Sequence, residues 1–215
     1  MAIMGDSYEY NLLAEWADHF DCQGFYTCEI GVRMGMGSVT IMHKVRNNKA
    51  HIGIDPYANL KYQHYDSEPP EGRTADYTDQ MRDDFLRDLK DFKHKRALDG
   101  SHELAPWGFF EKDPDTGKER EPAPFIFANM TDELFMSHPD NQDKKFAFVH
   151  FDGPHTTKAV ITEAVWFANR SAPHTRFAFD DYKTYDMSAI AYTLTAFGFK
   201  TMQAGETRIC LEKRT

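Results

Sequence analysis

Residues 25–38, FYTCEIGVRMGMGS, constrain this chain more than any other stretch. Phe25, Tyr26, Thr27, Cys28 and Ile30 suit a short buried strand, and Gly31, Gly35 and Gly37 follow at once. With no Cβ, those glycines let backbone approach a ligand closely. Ser38 then opens VTIMHKV, whose Val39, Ile41, Met42 and Val45 suit a helix packed on a sheet. A strand, a glycine turn and a helix N-terminus together form a site for a nucleotide-like ligand. The plainer alternative is a turn that only joins a strand to a helix.

The spacing narrows the ligand. A dinucleotide fingerprint reads G-x-G-x-x-G and a phosphate loop ends in Gly-Lys-Ser/Thr. Here the glycines fall as G-x-x-x-G-x-G without lysine, and Glu29 stands two residues before the first of them. A carboxylate at that point repels a pyrophosphate but suits an ammonium or sulfonium group. S-adenosylmethionine carries both.

Asp55 closes a second short strand, Ala50 to Ile54, before Pro56. In open α/β sheets ligands lie outside the carboxyl ends of the strands, and an acidic residue roughly 20 residues past the glycine turn is placed for ribose hydroxyls. A turn-forming Asp-Pro is the alternative. Farther on, KFAFVHFDGPHTT gives a buried strand from Phe146 to Phe151, then Asp152-Gly153-Pro154-His155, then a helix capped by Thr156 or Thr157. TRFAFDDY gives another strand ending at Asp180-Asp181. Asp152, Asp180 and Asp181 thus fall on the edge that carries the glycine turn and Asp55. Clustered carboxylates repel unless protonated or bound to a cation, and all-oxygen ligands point to a hard divalent ion, magnesium first. Turn formation and helix capping are the alternative for all three. His155, with a pKa near neutrality, is a candidate general base, or else a capping or surface histidine.

Before the glycine turn, residues 7–20 space Leu12, Leu13, Trp16, Ala17 and Phe20 as one helical face, with Asp6 or Ser7 as N-cap. Residues 60–124 exceed what an α/β crossover needs and read as an insertion, holding a charged helix over 74–98 and a turn at 113–118. Trp107, Phe109 and Phe110 either wall a pocket or anchor that insertion. GFKTMQA and TRICLEK read as an antiparallel pair at the sheet edge. The alternation of strands and helices specifies a single α/β domain over 1–215 with a mostly parallel sheet.

A net charge of −9 argues against a nucleic acid as the main partner, and no run has the apolar length of a membrane span. Three cysteines without a C-x-x-C pair fit a reducing, cytoplasmic setting, with Cys28 and Cys210 as small buried hydrophobes. The ten histidines are scattered and read mostly as surface residues.

TCEIGVRMGMGS, HIGIDPY, FVHFDGPHTT and FAFDDY together resemble a class I S-adenosylmethionine-dependent methyltransferase. The likeness is narrower to methyltransferase family 24, with the macrocin-type and catechol-type O-methyltransferases nearby, and it covers residues 25–59 and 125–213. It implies a Rossmann-like fold: a seven-stranded sheet with an antiparallel C-terminal hairpin and helices on both faces. By the same resemblance Glu29, Gly31, Gly35 and Ser38 surround the methionine part of the cofactor, Asp55 binds the ribose, and Asn129 or Met130 borders the adenine. Asp152, Asp180 and Asp181 would hold magnesium. Where catechol-type enzymes place a lysine three residues after the first metal aspartate, this chain has His155, so His155 and Asp152 compete as the base. The expected activity is methyl transfer to a hydroxyl of a small molecule or sugar, in a chain for which a homodimer is compatible. Its rivals are a cofactor-binding or partner-binding module without turnover and, behind that, a sugar-modifying or hydroxylase-like enzyme on the same fold.

Overall fold

A computed structural model describes residues 5, 9–18, 24–45, 48–58, 60–74, 76–99 and 124–214, with no account of side chains over 90–99. Cys22, the proposed caps Asp6 and Ser7, the aromatic run Trp107, Phe109 and Phe110 and the turn at 113–118 lie outside the described residues.

The parallel core of the sheet is built from β1 (Tyr26–Ile30), β2 (His51–Ile54), β5 (Phe125–Ala128), β6 (Phe146–Phe151) and β7 (Ser171–Phe179). β8 (Phe199–Ala204) and β9 (Ile209–Lys213) join it, giving the order β5-β2-β1-β6-β7-β9-β8. β9 runs antiparallel to both β7 and β8, as the alternation in the last segment predicts. All six residues of β6 are buried, the pattern of a central strand covered on both faces. The chain steps outward from β1 to β2 and β5, then returns to place β6 on the other side of β1. The strand order therefore reverses between β1 and β6, where an open α/β sheet leaves a crevice.

Side-chain alternation divides the core. On one face Cys28, Ile30, Val149 and Phe151 meet Phe135 of α4 (Asp132–Ser137), Val160 and Phe167 of α5 (Thr157–Ala168), and Ile190 and Leu194 of α6 (Met187–Thr195). On the other face Phe148, Ala178 and Cys210 meet Leu13 and Trp16 of α1 (Tyr10–Ala17) and Val39, Ile41 and Met42 of α2 (Met36–Lys44). Helices thus cover both faces. Phenylalanine dominates the first layer: Phe151 stacks on Phe179 at 4.6 Å and Phe177 on Phe199 at 4.3 Å. Such pairs add about 0.5–1.5 kcal/mol each beyond their burial.

α1 begins after Glu9, which makes no side-chain cap. The carboxylate of Glu9 instead accepts from the backbone N–H groups of Glu206 (2.6 Å), Thr207 (2.8 Å) and Arg208 (3.0 Å), tying the helix start to the β8–β9 turn. Within the predicted insertion, β3 (Lys61–Tyr62) and β4 (Arg73–Thr74) form a small antiparallel pair ahead of α3 (Asp79–Asp99). α3 buries Phe85 and Leu89, and its outer face carries Asp79–Arg82 and Asp84–Arg87 pairs at 2.8 and 2.7 Å, the solvated charged face its sequence predicts. Among the described residues no helix is long and apolar enough to cross a membrane.

Candidate functional site

The glycine turn has specific steric reasons. Gly31 and Gly35 have φ of 83° and 80°, a region other residues adopt at a cost. A Cβ on Gly31 would strike the Asp152 carbonyl, and one on Gly35 the ring of Phe85. Gly37 sits in α2, and a Cβ there would overlap the Glu29 carboxylate. Gly35 is the N-cap of α2 and supplies no side-chain acceptor, so first-turn N–H groups remain for a ligand.

Glu29 is 1 % exposed and sits at the centre of a hydrogen-bonded chain. Its Oε1 lies 2.8 Å from His150 Nδ1, and its Oε2 accepts from the Ser38 hydroxyl. Ser38 Oγ is 3.1 Å from His51 Nε2, and His51 Nδ1 is 3.0 Å from the Thr27 hydroxyl. With Glu29 ionised the donors are fixed in turn: Ser38 gives its proton to Glu29, His51 donates from Nε2, and Thr27 donates to His51 Nδ1. This requires a neutral His51, and burial, helped by His150, pushes its pKa down to about 3. Ser38, fully buried, thus acts through Glu29 and does not itself face the ligand space. His150, missed as a functional residue in the sequence, is the second support of Glu29, and its Nε2 makes no hydrogen bond.

Asp55 stands where predicted, at the end of β2. Its Oδ2 accepts from the N–H groups of Val32 (3.0 Å) and Arg33 (2.9 Å), and its Oδ1 from Tyr57 (2.9 Å). It holds the glycine turn, where Arg33 takes a left-handed φ of 48°, against the next loop, where Tyr57 and Ala58 take 47° and 62°. Burial raises the Asp55 pKa while these backbone donors lower it. Oδ1, which accepts only the Tyr57 bond, keeps acceptor capacity for a hydroxyl group. Asn129 turns its amide to the carbonyls of Asp55 (3.3 Å) and Pro56 (3.1 Å), and Met130 packs against the core. Thr131, Asp132 and Glu133, rather than those two, line the neighbouring wall.

Two adjoining cavities open along this edge. One, of about 570 Å³, runs from Gly31, Met34 and Gly37 to Asp152, His155 and Asp181. The other, of about 460 Å³, lies over Asp55, Pro56 and Tyr57, and both share Gly31, Asp55, Tyr77 and Asp152. Together the two cavities lie along the strand ends from β2 across β1 to β6.

His155 occupies the far end. It is 3 % exposed, and neither ring nitrogen makes a hydrogen bond. Nε2 lies 3.8 Å from Asp152 Oδ1 and Nδ1 lies 3.8 Å from Asp181 Oδ2. Burial, together with the neighbouring His64, pushes its pKa down to about 4, so the ring is neutral at physiological pH. The segment between β3 and β4 supplies the rest of this wall. The His155 N–H donates to the His64 carbonyl at 2.7 Å, Tyr65 bridges to His155, and the His64 ring lies 4.8 Å from that of His155. The insertion is therefore part of the site. His43, His51, His64, His150 and His155 are all buried, which corrects the expectation of surface histidines. His43, His51 and His150 lie in or beside apolar runs and His64 and His155 in polar turns, so only three-dimensional neighbours show that all five are buried.

The magnesium expectation can be tested on the donors. Asp180 is 5 % exposed and both its oxygens face Arg208, with Nε at 2.8 Å and Nη2 at 3.3 Å. Burial alone would raise the Asp180 pKa; Arg208 foremost, then His150, hold it below the ordinary range. The Asp181 side chain, at 40 % exposure against 8 % for Asp180, turns to different surroundings. Among the described residues, the set with ligand atoms within 4.8 Å of one another is Glu29, His150 and Asp152, whose Glu29–His150 pair is already hydrogen-bonded. The structure does not gather Asp152, Asp180 and Asp181 into one ligand set. A guanidinium about 4 Å from a dication would repel it by roughly 8 kcal/mol at an effective dielectric near 20. The donor set does not fit a divalent ion held by the three aspartates.

Comparison with known proteins agrees with the geometry. A family model described as a methyltransferase domain, methyltransferase family 24, matches residues 28–182. Calicheamicin methyltransferase CalS11 shares the fold with a TM-score of 0.59 at 9% identity, covering 95% of this chain and 77% of that one. The O-methyltransferase of Bacillus cereus, solved with S-adenosylhomocysteine (SAH), gives 0.53 at 9% identity, covering 100% and 84%. The precorrin-6y C5,15-methyltransferase of Geobacter metallireducens gives 0.57 at 7% identity, covering 99% and 91%. No curated protein sequence matches the chain. A family model spanning most of the chain, on a sheet whose crevice carries the glycine turn, identifies the protein as a member of methyltransferase family 24 and an S-adenosylmethionine-dependent methyltransferase.

Proposed function

We propose that the chain transfers a methyl group to a hydroxyl of a small molecule or sugar, with His155 as the base and Asp152 as its partner. The observation that carries this reading is His155 itself: buried, without a hydrogen-bond partner on either nitrogen, and in the cavity wall between two carboxylates. A neutral imidazole in that position accepts a proton, and Asp152 and Asp181 then stabilise the imidazolium.

Glu29 faces the methionine end of the cofactor, where a carboxylate fixed by Ser38 and His150 meets an ammonium group. Asp55 takes the ribose hydroxyls. When bound, the cofactor would supply an electrophilic methyl to the acceptor oxygen, with a neutral thioether as the leaving group. The acceptor proton passes to a ring nitrogen of His155. His64 and Tyr65 exclude water from that transfer and orient the acceptor. No step is assigned to a metal.

The test is transfer of radiolabelled methyl from S-adenosylmethionine to a panel of phenols, sugars, amines and carbon acids. Label on oxygen, lost in His155→Asn, supports the reading. Label appearing only on nitrogen or carbon acceptors overturns it.

A further inference from the structure

The family resemblance leads to a metal held by strand-end aspartates, yet Arg208 already occupies the acid cluster. Its side chain is fully buried, grips both oxygens of Asp180 in a fork, and rests over the Tyr10 ring with 4.4 Å from guanidinium carbon to ring centroid. Asp152 lies near enough to the same Asp180 carboxyl to influence its titration. The backbone of Arg208 is anchored in turn, its N–H donating to Glu9 at 3.0 Å and its carbonyl accepting from Gly205 at 2.7 Å. A guanidinium buried this way cannot swing out to admit an ion without abandoning a buried, bidentate partner.

The geometry points to Arg208 as the resident cation of this site: it stands in for a divalent metal, and the chain transfers methyl groups without one bound at Asp152, Asp180 and Asp181. The charge that a metal would bring to the carboxylates is supplied by the protein. Asp180 thereby becomes a structural counter-ion, leaving Asp152 beside His155 for proton transfer. The inference rests on the strand-end acids belonging to the methyl-transfer site proposed above, but metal binding is read directly, so the two can fail separately.

The experiment is a Mn²⁺ titration of the full chain followed by electron paramagnetic resonance of the free ion, with SAH binding as a check of folding. Wild type is expected to show no saturable Mn²⁺ site up to about 1 mM, the weak end of the range for calcium sites. Arg208→Met removes the cation at similar length and is expected to bind Mn²⁺ at least tenfold tighter, a gain abolished by adding Asp180→Asn. Stoichiometric micromolar Mn²⁺ binding by wild type, lost in Asp181→Asn, overturns the inference whether or not Arg208→Met folds. An Arg208→Met protein that still binds SAH but gains no Mn²⁺ also overturns it.

Discussion

Asp66 and Thr157 lie 91 positions apart in the chain, and the carboxylate of Asp66 accepts from both the Thr157 N–H (3.1 Å) and its hydroxyl (2.5 Å). The tip of the insertion therefore sits on the start of α5 beside the Thr156 cap, where a negative charge complements the helix dipole. Asp66→Ala should lower stability by about 1–2 kcal/mol. It should also raise KM for the acceptor more than it lowers SAH affinity, because the freed segment carries His64 and Tyr65. Chemical denaturation with steady-state kinetics checks this; an unchanged acceptor KM would separate the insertion from the acceptor.

For His155, replacement by Asn should cost about 10²- to 10⁴-fold in kcat, the usual range for a lost general base, with SAH affinity little changed. Single-turnover methyl transfer measures the chemical step. Because burial holds His155 near pH 4, wild-type activity should stay flat on acidification until that region. An acid limb centred near pH 6.5 would show a solvated imidazole instead.

The same depressed pKa has a consequence for stability. His155 titrates near 4 in the fold against 6.5 for a free imidazole, so between those values the unfolded chain binds the extra proton. Stability from keeping it neutral is whole above pH 6.5 and falls as pH drops toward 4. His155→Asn should therefore lose less thermal stability than wild type between pH 7 and 5, by the equivalent of about one proton. Parallel melting curves for the two proteins over that range would contradict the buried neutral ring.

Gly37→Ala is the most economical probe of the Glu29 network, since the added methyl falls on the carboxylate that Ser38 and His150 hold. SAH affinity should fall at least tenfold, about 1.4 kcal/mol, while far-ultraviolet circular dichroism is preserved. Unaltered affinity would show that Glu29 makes no contribution to cofactor binding.

Much of this was legible in the chain. Alternation and glycine spacing place β1, the turn, α2, Asp55 and the strand ending at Asp152, because local periodicity and backbone sterics set them. The antiparallel end of the sheet follows from two extended runs around Gly205. What stayed hidden depends on long-range partners. His150 reads as one more strand residue until it meets Glu29, 121 positions away, and Arg208 as an ordinary edge cation until Asp180 is set against it. Three aspartates at strand ends look alike in sequence; only the fold shows their differing partners, with Asp180 held by Arg208 and Asp181 turned toward His155.

The central claim places the cofactor in the crevice between β1 and β6 with its ribose on Asp55. Calorimetric titration of SAH into the full chain and into Asp55→Asn tests it most directly. The account predicts one site in wild type and at least tenfold weaker binding in the variant, about 1.4 kcal/mol, at a comparable melting temperature. No binding by wild type, or equal affinity in a folded variant, would contradict it.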